Sequence, residues 1–393
     1  MTPASPRVLL LCGGQSGEHD VSLASARSVL EAAADLDVTP LVIGRDGRLL
    51  SASSSRSVLG LPAATYDRTL DRSDDATRPL GTSPGATLPD GTSPDLTLPD
   101  ATRPDGTLPD GVSGRAATLV DDGVAGALSP LRGRFDVVFP LLHGPYGEDG
   151  SVQGLLKTMG LPFVGSGVLG SAVGMDKLTM KAVFAAHGLP QVAYRGVTRS
   201  AWSRDRAGVA ATLRDLPMPL FVKPANLGSS IGIRRVDEET HLQEAVDHAL
   251  AFDRRVIVEQ GVVGARELEV AVLGNDEPQV SPVGEIRYGT GFYDYDTKYT
   301  DGRAELIIPA ALPAAVAERG REMALRAFQA VDAAGMARVD FFLLPDGETL
   351  LLNEINTIPG FTRHSMYPRL WAAAGLSYSD LVRRLVTLAL EAR

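Results

Sequence analysis

Two segments near the C-terminus, Gly335-Met-Ala-Arg-Val-Asp340 and Asn353-Glu-Ile-Asn356, bring two carboxylates, a side-chain amide and an arginine close together in sequence. Side chains alternate in facing along a strand, so Glu354 and Asn356 share one side. A hairpin closed at Pro345-Asp-Gly347 sets Asp340 beside them. Asp340, Glu354 and Asn356 are hard oxygen donors suited to magnesium, and Arg338 is a cation suited to phosphate. This is the chemistry of an enzyme that uses a nucleotide.

A second cluster lies upstream in Lys223-Pro-Ala-Asn-Leu-Gly-Ser-Ser-Ile-Gly232. Glycines let backbone amides face phosphate oxygens, Ser229 and Ser230 add hydroxyl donors, and Lys223 adds a point charge. A P-loop would need Gly-Lys-Ser/Thr opening a helix, whereas here a second strand completes a hairpin. Taken alone, the loop reads equally well as a surface hairpin with an edge lysine; the downstream magnesium cluster favours phosphate. Between the two clusters, Val256-Ile-Val-Glu259 followed by Gln260 and Gly261 offers apolar residues to grip a flat adenine and a carboxylate to read its edge. Glu267 is placed to accept ribose hydroxyls.

These groups need strands to carry them. Arg7 to Cys12 reads as a buried parallel strand, followed by a helix from about Val21 to Ala34 and a second strand from Val38 to Gly44, the opening of an open α/β layer. Phe135 to Pro140 is a third strand. A second α/β unit has strands at Pro219–Pro224, Ile231–Val236 and Arg255–Glu259, with a helix from about Glu238 to Ala251. A third has a strand from Glu267 to Leu273, a tyrosine-rich loop, a helix from about Pro313 to Ala334, the metal hairpin, and a terminal helix from Ser379. The expected division is 1–165, 166–260 and 261–393.

With 393 residues, 44% of them hydrophobic, the chain exceeds what one core serves comfortably. A net charge of −10 and the lack of a recognition motif argue against nucleic acid. No apolar run approaches ~18 residues, so no spanning helix and no membrane partner are expected, and the short polar N-terminus opens no secretory signal. The expected compartment is the cytoplasm. Cys12, the single cysteine, excludes an internal disulfide and reads as an inert buried thiol.

From about Asp67 to Gly114, Thr-Leu-Pro-Asp and related units recur at uneven spacing. Prolines this dense forbid a helix or an interior strand. A calcium-binding repeat stack would need a regular period, which is missing. Residues 67–114 are therefore expected to be a disordered insertion within the first unit.

The order of these parts, with Gly13-Gly-Gln-Ser-Gly-Glu-His-Asp-Val-Ser-Leu23, Leu142-His-Gly-Pro-Tyr-Gly-Glu-Asp-Gly-Ser151, Phe292-Tyr-Asp-Tyr-Asp-Thr-Lys-Tyr299 and Asn353–Phe361 followed by Thr362-Arg-His-Ser365, resembles the ATP-grasp superfamily and within it the D-alanine–D-alanine ligases. The match spans the chain except the insertion. It implies an α/β (α+β ATP-grasp) fold of three domains, with an N-terminal open parallel α/β domain and ATP held between the central and C-terminal domains.

The resemblance also implies roles. Glu18 would hold the ammonium of the first D-alanine, as a compact carboxylate at a strand end can; the alternative is an acid that caps the helix. His143 would lie over the same substrate. Lys177 and Lys223 would contact ATP phosphates, with Glu259, Gln260, Val262 and Glu267 around adenine and ribose. Lys298, in a loop from about Arg287 to Glu305 with glycine hinges at Gly289, Gly291 and Gly302, would approach the γ-phosphate as that loop closes. Tyr299 would cover the substrate and link toward Ser229 and Glu18.

Arg338 would stabilise the oxyanion and the transferring phosphate. Asp340, Glu354 and Asn356 would hold two Mg2+ or Mn2+ ions, with Glu354 bridging. Gly360, through its amide, and Ser365 would receive the second D-alanine. Potassium activation and a homodimer built through the first domain are further expectations.

The chain departs from the family pattern at Asp20, where many relatives have glutamate, and at Gln260, where lysine is common. Val262–Arg266 is slightly long, which loosens the match at Glu267. Other readings are a ligase that takes D-lactate or D-serine second, or a catalytically silent regulator, although all the metal carboxylates and phosphate lysines are present. Replacing residues 67–114 by a short linker is expected to leave ATP-dependent turnover largely intact, measured as ADP release beside the full chain. Lost turnover in a folded deletion would make the insertion part of the working site.

Overall fold

The computed structural model describes residues 5–62, 131–228, 231–288 and 304–391. The insertion at 67–114, Ser229, Lys298, Tyr299 and the three glycines expected as hinges lie outside these residues. Three sheets carry the chain.

The first sheet is parallel, with β1 (Arg7–Gly13) between β2 (Asp37–Ile43) and β3 (Val137–Pro140). Every β1 residue after Arg7 is buried, as a central parallel strand covered on both faces requires. β1 ends in a sharp turn at Gly13, whose φ is +87°; a Cβ there would lie 2.3 Å from the Ile43 carbonyl oxygen. Its N–H donates to Ser22 Oγ at 2.7 Å, and that of Gly14 donates to the Ile43 carbonyl at 2.8 Å. The helix that follows, His19–Ala32, starts two residues before the expected Val21 and makes Glu18 its N-cap position. The Glu18 side chain makes no capping hydrogen bond.

The second sheet is antiparallel, in the order β4 (Tyr194–Thr198), β7 (Arg255–Gln260), β5 (Leu220–Pro224), β6 (Arg234–Val236). β6 begins at Arg234, not at Ile231 as expected. Gly232 takes φ +73° against the rings of Pro224 and Phe252, which breaks the extended run. Helix Leu242–Phe252 covers this sheet with Leu242, Ala245, Val246, Ala249 and Leu250 at helical spacing.

The third sheet has six strands: β8 (Arg266–Gly274), β9 (Gln279–Val280), β10 (Gly284–Tyr288), β11 (Ala304–Ile307), β12 (Gly335–Leu343) and β13 (Leu350–Asn356). Its order is β11-β10-β8-β12-β13, with β9 also on β8. The loop expected at 287–305 springs from paired stems, with Arg287 opposite Glu305 and Tyr288 opposite Ala304. Helix Ala314–Ala330 covers one face; it ends before the expected Ala334 because Asp332 turns to φ +59°. Helix Lys177–Ala186 shares that core through Met180 and Phe184.

The other face joins the first sheet. Phe361, Tyr367, Leu370 and Leu385 lie in one core with Val8, Leu10 and Phe139. The Phe361 and Phe139 rings meet edge to face at 5.8 Å, and buried Tyr367 donates its hydroxyl to the Val272 carbonyl at 3.0 Å.

Gly13→Ala combines a left-handed φ with a backbone clash and is expected to cost about 2–4 kcal/mol in urea unfolding. Gly60→Ala, at φ +71° with nothing within 4 Å of the added methyl, supplies the comparison and should cost about 1 kcal/mol. Equal losses at the two positions would show that the Ile43 contact carries no energy.

Candidate active site

β12 sets the centre of the site. Its side chains alternate between buried and half-buried, which turns Arg338 and Asp340 to the same open face. Asp340 pairs with Glu354 on β13 and with Glu269 on β8, while Arg338 pairs with Asn356. Arg338 donates from Nε and Nη2 to the two oxygens of Asp340, at 2.7 Å each, and its Nε lies 3.2 Å from Glu269 Oε2. Asn356 Nδ2 donates to Asp340 Oδ2 at 3.1 Å. The expected hairpin is therefore formed.

Among the described residues no group of three or more His, Cys, Asp or Glu could hold a metal by itself. Asp340, Glu354 and the Asn356 amide offer few protein oxygens. Such a set fits an ion that keeps water and phosphate in its shell, as magnesium does, and not a closed cage of protein ligands.

Across the cavity, Lys177 opens its helix behind Asp176, whose Oδ1 accepts from the Thr179 N–H at 2.8 Å. Lys177 Nζ donates to the Leu227 carbonyl at 2.6 Å, tying the helix start to the glycine-serine loop. Lys223 Nζ lies 2.6 Å from Glu259 Oε2, and Lys181 Nζ lies 2.8 Å from Glu259 Oε1. Burial pushes the Glu259 carboxyl up, but Lys181 and Lys223 outweigh it and hold the group at about 2. For Lys223, burial lowers the pKa while Glu259, Glu354 and Glu267 raise it, with a net rise. The carboxylate expected to read adenine thus faces two lysines.

At the opposite end, buried His143 donates from Nδ1 to the Ile358 carbonyl at 3.0 Å, since a carbonyl can only accept. Its Nε2 has no hydrogen-bond partner among the described residues. Burial holds the ring below the usual imidazole range, against the pull of Glu18. Ser365 Oγ accepts from the Thr362 N–H at 3.1 Å, and Gly360 lies directly against Ser365.

One cavity of about 1080 Å³ collects these groups. Glu18, His143, Gly360 and Ser365 line it. So do Lys177, Lys223, Arg338, Asp340, Glu354 and Asn356, with Glu259, Gln260, Val262 and Glu267. Every expected site residue within the described segments is there.

The family described as D-ala D-ala ligase N-terminus matches residues 7–166, and D-ala D-ala ligase C-terminus matches residues 183–387. A D-alanine--D-alanine ligase of Deinococcus radiodurans is 48% identical over 390 residues, 98% of this chain and 99% of that protein. The chain belongs to the D-alanine–D-alanine ligase family. Among solved structures, the D-alanine-D-alanine ligase from Coxiella burnetii is 32% identical with a TM-score of 0.71, covering 99% of this chain and 94% of that one. The VanG D-Ala:D-Ser ligase from Enterococcus faecalis is 31% identical with a TM-score of 0.72, covering 98% and 99%.

The ligase cavity contains groups that the sequence reading left unassigned. Glu148 lies within the His-Gly-Pro-Tyr-Gly-Glu motif, which signalled it, and its Oε1 accepts from the Gly144 N–H at 2.9 Å. Glu269 adds a third carboxylate beside Arg338, and only the sheet register reveals it. Outside the cavity, Lys181 follows Lys177 by one helical turn, a spacing visible in the sequence. Cys12 is fully buried, and burial pushes its thiol up to about 12, which rules it out as a nucleophile at neutral pH.

Burial and then Glu18 push the Glu148 carboxyl up to about 8 from an ordinary 4.5. The unfolded chain gives up this proton from about pH 4.5 and the folded chain only near 8, so the group's contribution to stability falls as pH rises through that window. Glu148→Gln removes the titration. Its melting temperature relative to wild type is expected to rise between pH 5 and pH 8; a constant difference would show that Glu148 is ionised throughout.

Proposed function

We propose that this ligase joins two D-alanines to D-alanyl-D-alanine at the expense of ATP, for peptidoglycan precursor synthesis. One observation supports the reading: a single cavity is lined by Glu18 together with Lys177, Lys223, Arg338, Asp340 and Glu354.

A free carboxylate resists attack by an amine because oxide is too poor a leaving group. Transfer of the ATP γ-phosphate onto the first D-alanine converts that oxygen into a phosphate that can leave. In this reading Glu18 holds the substrate ammonium and His143 lies over it. Lys177 and Lys223, with Lys298 from the 287–305 loop, neutralise the triphosphate. The adenosine end lies along Glu259, Gln260, Val262 and Glu267.

Arg338 stabilises the transferring phosphate and then the oxyanion formed when the second amine attacks. Gly360 and Ser365 orient the second D-alanine, while Ser229 and Tyr299 complete the link to Glu18. The protein contributes alignment and charge neutralisation, with no covalent enzyme intermediate. Asp340, Glu354 and Asn356 would hold two Mg2+ or Mn2+ ions, which screen phosphate charge when bound.

Potassium activation, a homodimer built through the first domain, the cytoplasmic compartment and the domain limits 1–165, 166–260 and 261–393 belong to the same proposal. Among the described residues, no helix is long and apolar enough to cross a membrane.

The test is ADP release by purified protein with MgATP and potassium, with product mass determined, in D-alanine alone, D-alanine with D-lactate, D-alanine with D-serine, and L-alanine. D-Alanine alone is expected to support full turnover and give the dipeptide. Dependence on D-serine or D-lactate would overturn the second substrate while leaving the ATP chemistry intact.

A further inference from the structure

Lys181 is a buried cation to which the proposed reaction gives no task. Its side chain is 2% exposed, against 15% for Lys223, and it does not line the cavity. It projects from helix Lys177–Ala186, whose core is that of the six-stranded sheet, and reaches Glu259 on β7 of the four-stranded sheet. The ring of Tyr194, opposite Glu259 on β4, lies 5.7 Å from Lys181 Nζ and supplies a second favourable face.

The three groups form a line of charge: Lys181 on Oε1 of Glu259, and Lys223 on Oε2. Lys223 with Glu259 alone is a neutral pair, and a phosphate approaching it gains little. Lys181 makes the line net positive by one charge, and only Lys223 can deliver that charge to the cavity. Lys181 stands against the far oxygen of the carboxylate as an ion pair at 2.8 Å, outside hydrogen-bond geometry.

We infer that Lys181 is a positioning residue for nucleotide phosphate: it neutralises Glu259 from behind and so leaves the charge of Lys223 available to the ligand. The inference rests on the reading of Lys223 as a phosphate-binding cation.

Lys181→Met is expected to raise KM for MgATP about tenfold while KM for D-alanine stays unchanged, and to weaken adenosine, which lacks phosphate but lies along Glu259, less than MgATP. Lys181→Arg keeps the cation and should restore KM to within about threefold of wild type. If the methionine variant does not fold, Lys181→Gln, which keeps a donor toward Glu259 without the charge, carries the same expectation; a melting curve checks each variant.

Equal weakening of adenosine and MgATP would assign Lys181 to packing alone and overturn the inference. An unchanged KM for MgATP in Lys223→Met would overturn the phosphate reading of Lys223 itself, and the inference with it.

Discussion

A row of three carboxylates crosses the third sheet, and the rest of the site is arranged around it. Glu269, Asp340 and Glu354 stand opposite one another on β8, β12 and β13. Like charges at directly opposed positions destabilise a sheet. Arg338 offsets part of this by holding Asp340 with two bonds and approaching Glu269. The sheet therefore keeps a concentration of negative charge that cationic ligands relieve, and β12, paired on both sides, gives it little room to spread.

The opposite wall has the complementary arrangement. Lys181 and Lys223 flank a single glutamate, and Lys177 lines the same cavity, so this wall carries net positive charge. A metal-bound triphosphate carries both signs and fits between two such walls.

Much of this was legible in the sequence, for identifiable reasons. β1 is an unbroken apolar run, and β12 and β13 alternate around a Pro-Asp-Gly turn, so strand type and the closeness of Asp340 to Glu354 follow from local pattern. Boundaries moved where a glycine or a single residue took a left-handed turn, as at Gly232 and Asp332. The role of Glu259 was harder to read because its partners come from a distant helix and a neighbouring strand. A strand ending in glutamate looks the same whether it meets adenine or two lysines. Glu148 lay inside a motif already singled out, but its neutral tendency comes from Glu18 and burial, which no local spacing reveals.

The cores are distributed unevenly. The first sheet, the C-terminal helices and one face of the third sheet are knitted together through Phe361 and its neighbours, whereas the second sheet encloses its own set from Val197 to Val258. The four-stranded unit is thus the modular part of the molecule. In a lineage of such ligases it could be exchanged between relatives by recombination with its interior intact, while the first sheet, the C-terminal helices and the third sheet would have to be inherited together.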